Sequence, residues 1–360
     1  MKVTQGVKDT IPVRKGEELN LSVLETFLRS KISELPDGNL EIEQFSAGHS
    51  NLTYQLKIGT WEAVLRKPPL GPVAPKAYDM QREYSILSEL QPMFKPAPKP
   101  LLYSPDEHIV GSPFFIMERK KGFVFDTSVS NGIKPSPELF QNLSQEMVRR
   151  LVQLHRIPYQ ETRLKELSKP EGFMERQTKG WIARYERVKT EDIPNVRELE
   201  NWLMEHIPAI SESSVIHYDY KLNNAMFNEN GSEMLGLFDW EMTTVGDPLA
   251  DLGVALSYWT EKNDPDLLKK GLGSPSITIE DGFYSREQFI SEYARQSGRD
   301  VSCMNFYLTF AYFKLAGICQ QIYYRYHKGQ TNDQRFAHFD KYVKTLIEHA
   351  YSLTRTIRNA

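Results

Sequence analysis

Residues 215–227 read VIHYDYKLNNAMF, a cluster of polar side chains between two short apolar runs. Polar residues that separate short apolar runs are typical of a loop that joins two strands. Such loops often carry catalytic residues, because a rigid scaffold holds them in place. The stretch therefore predicts a functional loop, and the rest of the chain indicates which chemistry it serves.

The overall composition is that of an ordinary globular protein. The chain has 360 residues, of which 40% are hydrophobic and 25% are charged, and its formal net charge is -3. This length exceeds the size at which one hydrophobic core usually stops growing, which predicts two domains. The near-neutral charge gives no global electrostatic case for a nucleic acid or a membrane surface as partner.

Cysteine usage and the apolar runs favour a cytoplasmic location. Cys303 and Cys319 fall in a stretch of helical periodicity, too far apart on one straight helix to bridge, so both are expected to be reduced. The first residues lack the apolar core of a signal peptide. No apolar run approaches the roughly 20 residues that a membrane helix needs.

The pattern of apolar residues changes along the chain. Residues 1–12 read as a tail, and residues 16–34 carry apolar side chains at helical spacing. Short β-rich segments that predict an antiparallel meander follow at 40–46, 52–58 and 61–66. Helical periodicity dominates beyond Gly122 and predicts helices near 136–156, 171–190, 195–207, 248–260, 284–297, 302–328 and 334–353. We therefore predict an α+β chain with a small antiparallel β-sheet lobe at 1–118 and a larger, mainly helical lobe at 119–360.

The polar loop has the residue types that a phosphoryl transfer needs. That reaction uses a carboxylate to orient the acceptor hydroxyl, oxygen ligands for Mg²⁺, and cations that neutralise phosphate. Asp219 can serve as the base, Asn224 as a neutral metal ligand and Lys221 as a phosphate contact. Asp239 follows the apolar run MLGLF, and a β-hairpin of that length would return this second carboxylate to the neighbourhood of Asn224.

Three motifs together resemble the signature of the aminoglycoside-phosphotransferase-like and choline-kinase-like small-molecule kinases. They are His217-x-Asp219-x-x-x-x-Asn224, Asp239-Trp-Glu241 and Gly246-Asp-Pro-x-x-Asp-Leu252. The segments SAGHSNLTYQL and PFFIMERKKG resemble the branch that includes kinase domains fused to acyl-CoA dehydrogenases. The resemblance implies the bilobed protein-kinase-like fold, ATP or possibly GTP with Mg²⁺ as cofactors, and Asn224 with Asp239 as metal ligands.

The resemblance also assigns supporting residues around the loop. In the catalytic set Asp219, Lys221 and His217, the histidine is expected to brace the loop through hydrogen bonds rather than act as the base. Asp247 and Asp251 are expected to cap or anchor the helix that follows, because an acidic residue before Pro248 suits a helix N-terminus.

Nucleotide-binding residues are implied in the first lobe. Backbone N–H groups at Gly48, Ser50 and Asn51 would cradle phosphate oxygens. The residues implied to form the adenine-binding hinge are Met117, Glu118 and Arg119.

The phosphate-binding cation departs from the protein-kinase pattern, which has lysine on the third strand. Here the strand reads Ala63-Val-Leu-Arg66 with Lys67 next. Alternation along a strand puts Arg66 and Lys67 on opposite faces, so only one of them can contact phosphate. Arg66 aligns with the lysine position of the protein-kinase motif and is the expected phosphate contact. Glu83, on the following helix, is its expected ion-pair partner.

The acceptor is expected to be a small hydroxylated molecule. Residues 254–360 carry 14 Lys plus Arg against 11 Asp plus Glu, so a polycationic aminoglycoside is less expected than a hydroxyacyl-type compound or another alcohol. The aromatic-rich residues 305–329 are either core packing or, in part, a substrate wall. Two other functions stay open: a catalytically silent nucleotide-binding module, and a metal-dependent hydrolase built on His217, Asp219 and Asp239.

Overall fold

The structure, a computed structural model, describes residues 9–45, 51–70, 78–129, 132–167, 169–209, 212–271 and 274–355. The chain divides into two compact units, Met1–Gly122 with Leu235–Glu241 and Phe123–Met234 with Met242–Ala360. The larger sheet belongs to the first unit, and the long helices belong to the second. The α+β class predicted from the sequence is confirmed.

The first unit is built on an antiparallel sheet. Its strands are β1 Thr10–Ile11, β2 Glu41–Phe45, β3 Leu52–Ile58, β4 Trp61–Lys67, β5 Pro100–Ser104 and β6 Phe114–Glu118. They lie in the order β1-β2-β3-β4-β6-β5. β3 alternates buried and less buried residues, which places Tyr54 and Leu56 in the core beside Leu65 of β4. β1 corrects the expectation of a tail, because Thr10 pairs with Phe45.

Three helices of the first unit are α1 Leu21–Lys31, α2 Met80–Leu90 and α3 Glu107–Val110. Asp79 caps α2 by accepting a hydrogen bond from the Arg82 backbone N–H. Glu83 shares the buried stripe of α2 with Met80 and Leu87, at helical spacing. The stripe carries a carboxylate into the interior, where it needs a cationic partner.

The second unit consists mainly of helices. They are α4 Pro137–His155, α5 Phe173–Val188, α6 Val196–Glu205, α7 Pro248–Ser257, α8 Asp266–Lys270, α9 Arg286–Ser297, α10 Met304–His327 and α11 Phe339–Leu353. Apart from the short α8, these helices match the segments predicted from apolar periodicity to within a few residues. The shift is largest at the start of α11, where residues 334–336 form a separate 3-10 turn.

Short strands frame the polar loop. β7 Phe123–Val124 pairs with β9 Ala225–Phe227, and β8 Ser214–Ile216 pairs with β11 Thr244–Gly246. Residues 217–224 therefore run from β8 to β9, as predicted for a loop that joins strands. β10 Met234–Leu237 follows the turn at Gly231 and carries the chain toward Asp239.

The core of the second unit is centred on α10. Its aromatic side chains at 306, 307, 310, 312 and 313 are buried, which favours core packing over a substrate wall for these five. A Cβ on Gly253 of α7 would lie 2.7 Å from the Tyr307 carbonyl oxygen, so only glycine allows this approach of α7 to α10. Among the described residues, no helix has the length and apolarity that crossing a bilayer requires.

Candidate active site

The Asp219 carboxylate is held by hydrogen bonds from several sides. Lys221 Nζ lies 2.9 Å from its Oδ2, Asn224 Nδ2 donates to the same oxygen at 2.9 Å, and the Tyr258 hydroxyl lies near the carboxylate. The Asp219 side chain keeps 17% of its surface exposed. The candidate base is therefore oriented by its neighbours while solvent still reaches it.

Tyr258 is a site residue that sequence reasoning missed. It follows the last residue of α7, where burial and the nearby Asp219 carboxylate raise its pKa well above the ordinary value. Its hydroxyl therefore stays protonated and can donate to Asp219. Lys221 Nζ lies 5.0 Å from the centroid of the Tyr258 ring. No motif marks this tyrosine, because it stands at the end of an apolar helix.

Asn224 ends a 3-10 turn, Leu222–Asn224, that brings its side chain back to Asp219. Its Nδ2 donates to the Asp219 main-chain oxygen at 3.0 Å as well as to the carboxylate. The amide oxygen accepts no hydrogen bond from the residues that the structure describes. A neutral oxygen in this position fits a hard cation such as Mg²⁺.

His217 braces the loop, as expected. Its side chain is fully buried, and its Nδ1 accepts a hydrogen bond from the Asp219 backbone N–H at 3.3 Å. The backbone N–H groups of His217 and Tyr218 each donate to the Asp251 carboxylate at 2.7 Å. Tyr218 adopts a φ of 66°, a left-handed conformation that an aromatic residue rarely takes.

Asp247 and Asp251 have different roles. Asp247 caps α7 by accepting from the Leu249 backbone N–H at 2.9 Å, as predicted. Asp251 anchors the same helix rather than capping it, because its carboxylate accepts from the loop backbone and also contacts His155 Nε2 at 3.1 Å. Burial would raise the pKa of Asp251, but the hydrogen bonds and charge that His155 and His217 together present to the carboxylate outweigh burial and lower it.

A second cluster of candidate residues lies within the first unit. Arg66 donates from Nε to Glu83 Oε2 at 3.1 Å and from Nη2 to Asp239 Oδ1 at 2.7 Å. Burial would lower the pKa of Arg66, but the carboxylates of Glu83 and Asp239 outweigh it and raise the pKa. The guanidinium therefore stays charged and joins β4, α2 and the residue that follows Phe238.

Glu241 extends this cluster, although sequence reasoning quoted it in a motif without giving it a role. It lies 3.7 Å from Arg66 Nη2 and accepts a hydrogen bond from Asn51 Nδ2 at 3.1 Å. Burial and the neighbouring Asp239 raise the pKa of Glu241 to about 7. Gly48 and Ser50, the other predicted phosphate-loop residues, lie outside the described residues.

The cluster around Arg66 contains three carboxylates and one guanidinium group. Glu83, Asp239 and Glu241 surround Arg66, and the last two carboxylate side chains keep 27% and 29% of their surface exposed. This excess of acidic oxygens fits a divalent cation. Within the described ranges, no group of three or more His, Cys, Asp or Glu residues is arranged as a complete metal cage. Mg²⁺ in phosphoryl-transfer sites needs only one or two carboxylates besides phosphate and water.

Lys67, the neighbour of Arg66, faces elsewhere. Its Nζ donates to the Val110 carbonyl oxygen at the C-terminus of α3, and burial lowers its pKa. Strand alternation therefore separates the two cations as predicted, and Arg66 is the one beside Asp239.

The predicted hinge residues are all placed at the end of β6. Met117 pairs with Val64, and the Glu118 backbone N–H donates to the Lys99 carbonyl oxygen at 2.8 Å. Arg119 Nη2 donates to Asp9 Oδ1 at 3.0 Å. The structure thus gives each of these groups a partner within the first unit.

Comparison with known proteins agrees with the fold. Residues 41–280, more than half of the chain, match the model of the phosphotransferase enzyme family, APH. The chain belongs to this family. The family resemblance seen in the motifs and the kinase-like fold predicted from them are confirmed.

Relatives and solved structures add detail. Acyl-CoA dehydrogenase family member 11 of Pongo abelii is 32% identical over 357 residues, which is 97% of this chain but 45% of that protein. The chain thus spans about half the length of this curated relative. A structure from Ralstonia eutropha JMP134, provisionally assigned as an aminoglycoside phosphotransferase, is 29% identical with a TM-score of 0.79, covering 94% of this chain and 99% of that one.

A more distant solved structure shares the fold alone. The GDP and kanamycin complex of APH(2")-IIIa is 15% identical with a TM-score of 0.56, covering 93% of this chain and 99% of that one.

Proposed function

We propose that this chain is an ATP- and Mg²⁺-dependent kinase that phosphorylates a hydroxyl group of a small molecule. The observation that carries the proposal is the Asp219 carboxylate, which accepts a hydrogen bond from the Asn224 side-chain amide N–H and pairs with Lys221 in the same loop. A carboxylate that positions a hydroxyl and a neutral metal ligand five residues later are the two parts that this chemistry requires in one loop. Membership of the phosphotransferase family supports the same reaction class.

Each residue of the loop then has a defined task. Asp219 orients the acceptor hydroxyl and takes its proton, while Tyr258 and Asn224 keep the carboxylate in place. Lys221 neutralises phosphate charge, and His217 braces the loop from behind. Asn224 and Asp239 are the proposed Mg²⁺ ligands.

The nucleotide side is proposed for the lobe at 1–118, and catalysis with acceptor binding for 119–360. Bound Mg²⁺–ATP would supply the phosphoryl group to be transferred. Arg66 would neutralise phosphate charge while Glu83 holds its guanidinium in place. The remaining nucleotide contacts are proposed at Gly48, Ser50, Asn51, Met117, Glu118 and Arg119. GTP is a second candidate, because a protein that shares the fold binds GDP.

The proposed acceptor is a hydroxyacyl-type compound. The support is the name of the longer relative, an acyl-CoA dehydrogenase family member, which points to acyl thioester chemistry in that protein. The balance of 14 basic against 11 acidic residues in 254–360 gives no acidic excess for a polycationic aminoglycoside. A neutral or acyl-linked alcohol is therefore the first class to test.

The first experiment is a calorimetric titration of ATP into the protein, with and without Mg²⁺. We expect Mg²⁺-dependent binding that weakens about tenfold or more in Asp239→Asn, since a charged metal ligand is lost. Glu25→Gln is the matched control, because Glu25 also pairs with an arginine, Arg29, at 2.9 Å but lies outside the cluster. Absence of binding to both ATP and GTP would refute the nucleotide half of the proposal.

A second experiment follows phosphoryl transfer to hydroxyacyl-CoA thioesters, free hydroxy acids and kanamycin. Turnover with the thioesters above the other two supports the acceptor class. Turnover only with kanamycin would overturn it. Nucleotide binding without transfer to any acceptor, and without slow hydrolysis of ATP, would favour the catalytically silent module.

A further inference from the structure

Lys314 is a buried lysine in the middle of α10, among the aromatic residues of the second-unit core. Only 3% of its surface is exposed. Its Nζ donates to the Tyr218 carbonyl oxygen at 3.0 Å and lies 3.9 Å from the centroid of the Tyr218 ring. The Trp181 ring of α5 lies on another side, with its centroid 6.0 Å from Nζ. One lysine thus holds both the backbone and the side chain of the residue before Asp219.

The charges around Lys314 come from the loop and from α7. Asp219 and Asp251 favour its ammonium form, Lys221 opposes it, and burial dominates by lowering its pKa to about 8. Lysine is almost never fully buried unless it has a partner, because desolvation of the ammonium is costly. An apolar side chain would fill this part of the core at lower cost, so packing alone does not explain a lysine here.

Tyr218 is the residue on which these contacts converge. Its φ of 66° is left-handed, a conformation that persists for a bulky residue only where the surroundings enforce it. Asp251 accepts a hydrogen bond from its N–H, and Lys314 donates one to its carbonyl oxygen. A carboxylate and an ammonium therefore hold opposite ends of one strained residue, and the next residue along the chain is Asp219.

We propose that Lys314 is a positioning residue, which keeps Tyr218 in its left-handed conformation and thereby aims the Asp219 carboxylate. The effect on catalysis rests on the proposed function, whereas the effect on the loop does not. Lys314 contacts Tyr218 rather than the acceptor, so its loss should alter the loop before it alters nucleotide binding.

The loop is tested first by hydrogen–deuterium exchange of peptides that cover residues 214–224. In Lys314→Met we expect at least tenfold faster exchange there and unchanged exchange in residues 52–67. Gln320→Met is the matched control, because Gln320 is equally buried on α10 but bonds to the Val188 carbonyl oxygen, away from the loop. Equal exchange at 214–224 in both variants, or no change in Lys314→Met, would overturn the proposal. Lys314→Arg keeps a charged donor and should return exchange at 214–224 toward the wild-type rate. This variant is used for the test if Lys314→Met does not fold.

The second readout compares the effects of the substitution on kcat and on KM for ATP, measured for ATP hydrolysis or for phosphoryl transfer to an acceptor. We expect kcat to fall about tenfold to a hundredfold in Lys314→Met with KM for ATP within twofold of wild type, and partial recovery in Lys314→Arg. In wild type, kcat should decline above about pH 8, and in Lys314→Arg this decline should move to higher pH. A fall confined to KM contradicts positioning. A wild type without any turnover would count against the proposed function, while the exchange experiment would still decide the role of Lys314.

Discussion

Arg66 and Asp239 form a 2.7 Å ion pair across 173 residues of sequence. The same guanidinium reaches Glu83 through a different nitrogen, so one side chain joins two carboxylates. A lysine has a single Nζ on a flexible stem and lacks the planar fork that spans two such partners. The arginine that departs from the protein-kinase pattern therefore has a structural reason here.

Replacing Arg66 by methionine should destabilise the protein by about 3–5 kcal/mol, because Glu83 would be left buried without its cation. Urea unfolding followed by circular dichroism measures the change. Adding Glu83→Gln to this variant should recover part of the loss, since the buried charge is then removed. Arg66→Lys should fall between wild type and Arg66→Met.

Lys67→Met separates the two neighbouring cations. Because Lys67 bonds to Val110 at the end of α3, its loss should leave the affinity for Mg²⁺–ATP within about twofold of wild type, whereas Arg66→Met should weaken it at least tenfold. The reverse order of the two affinities in calorimetry would show that Lys67 is the phosphate contact.

Asp219→Asn should abolish most phosphoryl transfer and preserve nucleotide binding. Loss of a positioned general base costs about 10²–10⁴ in rate, and the amide keeps the shape of the side chain. Single-turnover transfer and calorimetry on the same sample measure both quantities. Asn223→Ala, an exposed change in the same loop, is the control and should stay near wild type. Full-rate transfer in Asp219→Asn would show that another group is the base.

Asp251→Asn and Asp247→Asn should differ although both residues begin the same helix. Asp251 accepts two buried backbone hydrogen bonds and a third from His155. In Asp251→Asn, the side-chain NH₂ group would face one of these N–H donors, and that hydrogen bond would be lost. We expect a loss of about 3 kcal/mol. Asn still caps a helix, and the Tyr307 hydroxyl at Asp247 can reverse its bond, so this variant should lose at most about 1 kcal/mol. Equal losses in urea unfolding would contradict the role of Asp251 as loop anchor.

The main helices and strands could be predicted because their apolar stripes are long and regular. The loop residues from His217 to Asn224 could be predicted because they form one motif on contiguous sequence. Tyr258 and Lys314 could not, since each becomes part of the site only when α7 and α10 pack beside the loop. In the sequence, Lys314 is a single charged residue within an aromatic helix, and the sequence pattern does not indicate which residue it contacts in the fold. β1 was missed because a two-residue strand is too short for alternation to show.

The stability of the protein should depend on pH through Lys314. Its folded pKa of about 8 lies below the ordinary 10.5, so burial of the ammonium costs stability at low pH, and this cost disappears as pH rises from about 8 to 10.5 and returns as pH falls through about 8. The unfolding free energy of wild type minus that of Lys314→Met should therefore rise by about 3 kcal/mol between these two pH values. The charged groups that face this lysine are Asp219, Asp251 and Lys221; all three are also present in Lys314→Met, so their own contributions should largely cancel in the difference. Urea unfolding of both proteins at several pH values measures the difference, and Lys328→Met, on the exposed end of α10, should show no such slope. A difference that is flat with pH would mean that Lys314 keeps an ordinary affinity for its proton, and that solvent reaches it in the folded protein.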